Sequence, residues 1–182
     1  MKRFFQKMRG SRRTHVRKPL AEIFWSWLGG FLGIFAVWQI NRYLGIQENA
    51  NLFLVGSFGA SAVLIYGAPM SDFSQPRNLV GGHVISALTG VLVHLMLPDQ
   101  IALAGALSVS IAIAAMLLTH TTHPPGGATA LIAVTGGDSI FNLGFKYILT
   151  PVLTGVLIML FIALIVNNLS ANTDRHYPKF WF

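Results

Sequence analysis

Four runs of roughly 20 residues, 20–41, 79–97, 101–119 and 145–166, carry almost no charged side chain. Nothing else in the chain constrains its fold as strongly. A backbone in hydrocarbon has no water to bond, so each run must satisfy its own N–H and C=O groups, and a helix does so within itself. About 20 residues at about 1.5 Å each match a hydrocarbon core of about 30 Å. Charged residues make up 10% of the 182 positions, against about 25% in a soluble domain. The expectation is an all-α, polytopic membrane helical bundle. With no cysteine, the chain has no disulfide framework, thiol nucleophile, thiolate zinc site or iron–sulfur cluster.

Two further apolar stretches are shorter and interrupted: 52–68, broken by Gly56 and Gly59, and 124–136, opened by Pro-Pro-Gly-Gly. Each reads as a half-helix entered by extended chain, since about 11 helical residues rise only about 16 Å. The two stretches are also related. Gly59-Ala60-Ser61-Ala62-Val63 matches Gly127-Ala128-Thr129-Ala130-Leu131 at an offset of 68, and Leu88-Thr89-Gly90-Val91-Leu92 recurs identically at an offset of 65. Two matches in the same order indicate an internal duplication. Each copy holds a helix, a broken element and a helix, and three crossings invert the second copy. The expected plan is an inverted three-plus-three repeat with two half-helices.

Eight of the 13 basic residues lie in the first 18 positions, so the net charge of +7 belongs to a tail and does not indicate nucleic-acid binding. The expected division is a basic cytoplasmic tail over 1–19, a transmembrane domain over 20–166 and a short cytoplasmic tail over 167–182. Lys and Arg beside a first span fix orientation, and the alternative is a lipid-contacting role, with Phe4, Phe5 and Met8 dipping into the interface and Lys2, Arg3, Lys7 and Arg9 on anionic head groups. Both termini are expected inside, in the inner (plasma) membrane of a cell, with no cleaved signal. Small residues at four-residue spacing, such as Gly29 and Gly33 or Gly82, Ser86 and Gly90, allow close helix packing within the bundle or in a homo-oligomer.

The densest polar run is His120-Thr121-Thr122-His123-Pro124-Pro125-Gly126-Gly127-Ala128-Thr129. Pro124 and Pro125 favour an extended approach, so helix begins after them. Gly126 and Gly127 remove bulk from its first turn, where N–H groups are free and the dipole is positive. The matching element offers Ser57, Phe58, Gly59, Ala60 and Ser61. Inversion would bring two positive helix ends together near the midplane, a site for a small anion, with Ser57, Ser61 and Thr129 as hydroxyl donors. The plainer reading is tight packing at a kink. His123 is a candidate anion contact or proton carrier, or else a neutral loop former. Arg77, with Asn78, is either an orientation marker or an anion-capturing group. His83 is expected near the cytoplasmic entrance.

The segments THPPGGATAL, FGASAVL and QPRNLVGGH together resemble the HPP family of integral membrane proteins, over roughly residues 20–166. Family members in cyanobacteria and chloroplast envelopes are associated with nitrite transport, so the resemblance implies a transporter of a small monovalent anion, nitrite being favoured. Some relatives carry a further cytoplasmic domain, and none is expected in this chain. No enzymatic activity, cofactor or metal is expected. The competing functions are a metal protein or enzyme using His83, His120 and His123, and a membrane scaffold.

Overall fold

The structure, a computed structural model, describes residues 17–46 and 48–182. The first 16 residues, with the lipid contacts expected between Lys2 and Arg9, lie outside them. The described chain is helical, and four helices are long and apolar enough to cross a bilayer.

Helix α1 (Leu20–Tyr43) starts after Pro19 and carries its aromatic side chains outward. Trp27, Phe31 and Phe35 stack along its exposed face, as suits a helix lying against lipid. A short turn with Gly45 at φ 74° leads into α2 (Glu48–Gly67). Here the structure departs from expectation. α2 is a continuous helix of 20 residues, with Gly56 and Gly59 inside it and no break at either. A glycine costs a helix interior only about 1 kcal/mol, which the packing of Leu54, Phe58, Ile65 and Tyr66 in the core outweighs.

Helix α3 (Pro76–Met96) opens with proline at its first position, where the missing N–H has no partner to lose. Helix α4 (Ile101–Leu118) follows and stops at His120, whose φ of 55° is left-handed. The Thr121 N–H reaches back to the Met116 carbonyl at 2.9 Å and the His120 N–H to Leu117 at 3.3 Å. This is the closing pattern usually built on glycine.

Helix α5 (Pro125–Thr135) has 11 residues and is the half-helix the sequence predicts. Its approach differs in detail, because Pro124 has helical torsions, φ −51° and ψ −39°, where an extended residue is expected. The start of α5 sits deep in the bundle. Pro125 lies against Ser57 of α2, and Gly126 faces Ser86 and the Gly82 carbonyl of α3. Ser57 and Ser86 each stand about ten residues, or roughly 15 Å, from the near ends of their helices, about half the thickness of a bilayer core. Residues 119–124 therefore descend to mid-depth of the bundle, where α5 begins. A short α6 (Asp138–Phe141) stacks Phe141 on His94 near the far end of α3, ring centres 4.0 Å apart. The return, Ile148–Leu153, is kinked at Thr150, whose φ of −134° and ψ of 112° are extended, and continues as α7 (Thr154–Asn168).

The C-terminal segment folds back on the start of α1 and the turn between α2 and α3. Arg175 bonds Glu22 at 3.0 Å, the Tyr177 hydroxyl donates to the Ser74 carbonyl at 2.7 Å, and the Lys179 N–H donates to Gln75 at 2.7 Å. Both ends of the described chain thus lie at one end of the bundle. Burial pushes the Tyr177 phenol above its ordinary pKa, so it stays a donor.

Candidate functional site

At the inner end of α5 five polar side chains, each at most 1% exposed, form one continuous chain of contacts. His123 Nδ1 lies 2.7 Å from the Phe73 carbonyl, in the turn before α3. His123 Nε2 lies 2.9 Å from Ser61 Oγ of α2. The same hydroxyl lies 2.7 Å from His83 Nε2 of α3. The other nitrogen of that ring, Nδ1, lies 2.7 Å from Thr129 Oγ1 of α5. Thr129 is 2.7 Å from Ser57 Oγ, which also reaches the Pro125 carbonyl at 2.9 Å. Phe58 packs on the His83 ring at 5.5 Å between centres. The Tyr147 hydroxyl, just before the kinked segment, donates to the Thr129 carbonyl at 2.9 Å.

Helical spacing explains how each element contributes. Ser57 and Ser61, four residues apart, share one face of α2. His83 stands one turn before Ser86, on the face of α3 against α5. Close approach of α3 and the 119–126 segment is possible because Gly82 and Gly126 have no side chain. A Cβ on Gly82 would stand 2.5 Å from that of His123 and 2.8 Å from the Thr121 carbonyl, and one on Gly126 would stand 2.7 Å from Ser86 Oγ.

The remaining expected site residues fall into two groups. Arg77 Nη2 donates to the Thr119 carbonyl at 2.9 Å and Asn78 Nδ2 to the Thr122 carbonyl at 2.9 Å. Both tie down the descending loop, Arg77 placing its cation at the C-terminus of α4, where the dipole is negative. Gly59, Ala60, Gly127 and Ala128 lie off the contact chain. Gly59 has open space where a Cβ would stand, Gly127 has only Val109 at 3.8 Å, and Ala60 and Ala128 are exposed. The first turn of α5 also uses its own donors: the Gly126 N–H bonds the His123 carbonyl at 2.8 Å and the Gly127 N–H bonds Pro124 at 3.1 Å. His83 is fully buried at the centre of the cluster, not at an entrance. His120 is exposed, and its backbone ends α4.

Repeat-equivalent positions meet at this cluster. Ser57 and Pro125, 68 residues apart, touch directly, and the equivalent pair Ser61 and Thr129 hold the two nitrogens of His83. The second match behaves alike. Gly90 of α3 packs on α5, where a Cβ would stand 2.5 Å from the Ala130 carbonyl, while Gly155 of α7 packs on α2, where it would stand 2.6 Å from the Phe58 ring. The histidines break this pattern, since Val55 and Ile148 occupy the positions equivalent to His123 and His83.

A cavity of about 980 Å³ lies apart from the histidines, between α1 and α2, with Trp27, Phe31, Val63 and Arg175 in its lining. Sequence reasoning missed Arg175, which is 3% exposed and joins Glu22, Asn167 and the Tyr66 carbonyl. A lone Glu inside the first apolar run was the available signal, because a buried charge demands a partner.

The family model described as "HPP, transmembrane region" matches residues 15–178. A transmembrane protein of Dictyostelium discoideum is 48% identical over 182 residues, an alignment covering 98% of this chain and 57% of that protein. A second Dictyostelium discoideum transmembrane protein is 42% identical over 185 residues, covering 98% of this chain and 63% of the relative. The chain thus spans about three fifths of the length of these relatives. No solved structure matches it.

Proposed function

The chain belongs to the HPP transmembrane family, and from that premise we propose that it carries a small monovalent anion, nitrite foremost, across its membrane. The observation that supports this most is the buried chain Ser57, Thr129, His83, Ser61 and His123. It occupies mid-depth at the positive end of a half-helix, the position transporters use for an anionic solute. Among the described residues no carboxylate touches it, which suits an electronegative cargo. The hydroxyls and imidazoles replace the backbone N–H groups expected as the anion contacts, since those N–H groups bond within the turn.

The inverted three-plus-three plan belongs to the same reading. Contact between equivalent positions, with each copy's last helix packed on the other copy's middle element, is what a pseudo-twofold axis through the cluster would produce. Cargo reaches a cluster this buried only if a neighbouring element moves. The kink at Thr150 before α7, three residues beyond the Tyr147 whose hydroxyl bonds the Thr129 carbonyl, is the element we assign to that movement. The excess of basic residues at the N-terminal end orients both termini to the cytoplasm, in a plasma membrane.

Purified protein in liposomes should take up nitrite faster than protein-free liposomes, and sulfate far more slowly. Undissociated nitrous acid crosses lipid unaided, so protein-free flux is subtracted at each pH. Equal flux of nitrite and sulfate overturns the site. The same contacts could hold α2, α3 and α5 together as polar glue in a scaffold, and this reading stands if no anion moves under any gradient.

A further inference from the structure

The buried chain has two ends, and both are backbone carbonyls, Phe73 beyond His123 and Pro125 beyond Ser57. A carbonyl oxygen accepts and never donates. Between these ends run six contacts of 2.7–2.9 Å, and each needs one hydrogen. Neutral side chains supply five: one each from His123, Ser61, His83, Thr129 and Ser57. Whatever tautomers and hydroxyl rotations are chosen, one contact is left as lone pair against lone pair. Ser61 Oγ also approaches the Ser57 carbonyl at 3.4 Å, which adds an acceptor and no hydrogen.

One added proton fills every contact, and it can do so in two ways. With His123 doubly protonated, its ring donates to Phe73 and to Ser61, Ser61 donates to His83 Nε2, and His83 Nδ1 donates to Thr129, which donates to Ser57, which donates to Pro125. With His83 doubly protonated, its ring donates to Thr129 and Ser61, and Ser61 turns to donate to His123 Nε2. The two arrangements interconvert when His123 Nε2 gives its proton to Ser61 Oγ and Ser61 gives its own to His83 Nε2. No atom is gained or lost. The rings are already close, 4.9 Å between centres.

We propose that His83, Ser61 and His123, completed by Thr129 and Ser57, form a binding site for a single proton that is shared between the two imidazoles through the Ser61 hydroxyl. The groups facing this site support a cationic guest that needs company. From α2 come the two serines, from α3 His83, from α5 Thr129, and from the segment before α7 the Tyr147 hydroxyl, which donates to the Thr129 carbonyl. On the turn side, Asp72 next to Phe73 is exposed and held by Lys179 at 3.0 Å, Tyr177 bonds the Ser74 carbonyl, and Arg77 bonds the Thr119 carbonyl. No counter-charge touches the imidazoles among the described residues, and an unpaired buried charge is costly. A monovalent anion would supply it. This part rests on the anion reading above and deepens it: anion and proton stabilise each other in the site, and by linkage each raises the affinity for the other. Transport would then be electroneutral cotransport.

The test uses the full chain, with histidine labelled by nitrogen-15, in lipid nanodiscs. The imidazole resonances, assigned with His83→Gln and His123→Gln, are followed as pH falls, with and without nitrite. The expected result is that both rings respond with one common midpoint and together take up one proton, and that nitrite moves this midpoint upward by about one pH unit, a coupling of about tenfold. Ser61→Ala should abolish the common midpoint, and Ser61→Thr, which keeps the hydroxyl, should restore it. A merely structural serine would change stability and leave the titration shared. Two rings that protonate independently, or a common midpoint that survives in Ser61→Ala, overturns the proposal, as does the absence of any response while the protein stays folded. A shared proton whose midpoint ignores nitrite keeps the proton site and removes the anion reading. In liposomes, an enclosed pH dye should report one proton entering per nitrite above the protein-free background.

Discussion

The motif Gly-Ala-(Ser/Thr)-Ala occurs twice and is built into helices of different length. In α2 it lies inside 20 continuous residues; in α5 it lies near the start of 11. The residues before the motif decide this. Glycines at 56 and 59 weaken a helix by about 1 kcal/mol each, and packing overrides them. Prolines at 124 and 125 remove donors and clash with the preceding turn, about 3 kcal/mol or more for a proline in a helix interior, and packing does not. The difference places Thr129 one turn above a helix start at mid-depth of the bundle and Ser61 deep within a continuous helix, yet both reach the same imidazole.

The sharpest break comes at the near end of α2, whose terminal Tyr66 carbonyl accepts from Arg175 at 2.7 Å, a brace with no counterpart on α5 among the described contacts. Arg175→Met leaves Glu22 buried without its partner and should cost about 3–5 kcal/mol, read as loss of folded protein in denaturant titration. Glu22→Leu in the same chain should return most of it. If Arg175→Met alone is neutral, α2 is not held from this end.

The equivalent glycines test the packing of the two elements directly. Gly90→Val drives into the α5 backbone, and Gly155→Val into the Phe58 ring. Overpacking costs about 1–3 kcal/mol, and Gly90→Val should sit at the upper end because a carbonyl in a short helix cannot swing aside as a ring can. The reverse order, by thermal unfolding in detergent, would mean that α5 is the more yielding of the two.

Ser57 is the direct link from full helix to half-helix. Ser57→Ala removes the hydroxyl that donates to the Pro125 carbonyl and bonds Thr129, and a lost hydrogen bond whose carbonyl keeps its helical donor costs about 0.5–1.5 kcal/mol. Faster amide exchange should appear in α5 before α2. Equal acceleration in both would show that the two unfold as one unit.

The smallest effect is expected at Gly59→Ala and Gly127→Ala. Neither position meets a close neighbour, so stability should change by less than about 1 kcal/mol and nitrite flux should persist. Loss of flux in folded Gly127→Ala would return the anion to the N–H groups of the first turn of α5.

Much of this fold is legible in the sequence because a bilayer leaves few choices. Four spans, the half-helix after Pro-Pro and the shared end for both chain ends follow from apolar run length, proline chemistry and an even number of crossings. The break assigned to Gly56 and Gly59 does not follow, since glycine only permits a bend. His83 illustrates the other limit. Its spacing to Ser86 and Gly90 puts it on a packed face, but nothing in the spacing says how deep that face is covered. Arg77 and Asn78 carry the donors an anion would need, and the loop carbonyls at 119 and 122 take them first.

The sequence by itself determined where the chain can be helical in lipid, where it cannot, and that two parts of it share a pattern. Only the tertiary structure decided that residues 57, 61, 83, 123 and 129 form one hydrogen-bonded chain. The reason is geometric. Run length, helical period and proline act over a few neighbouring residues and can be read locally. A contact of 2.7 Å between side chains 22 to 72 positions apart depends on how closely whole helices approach, and that distance is set by which small residues happen to face one another.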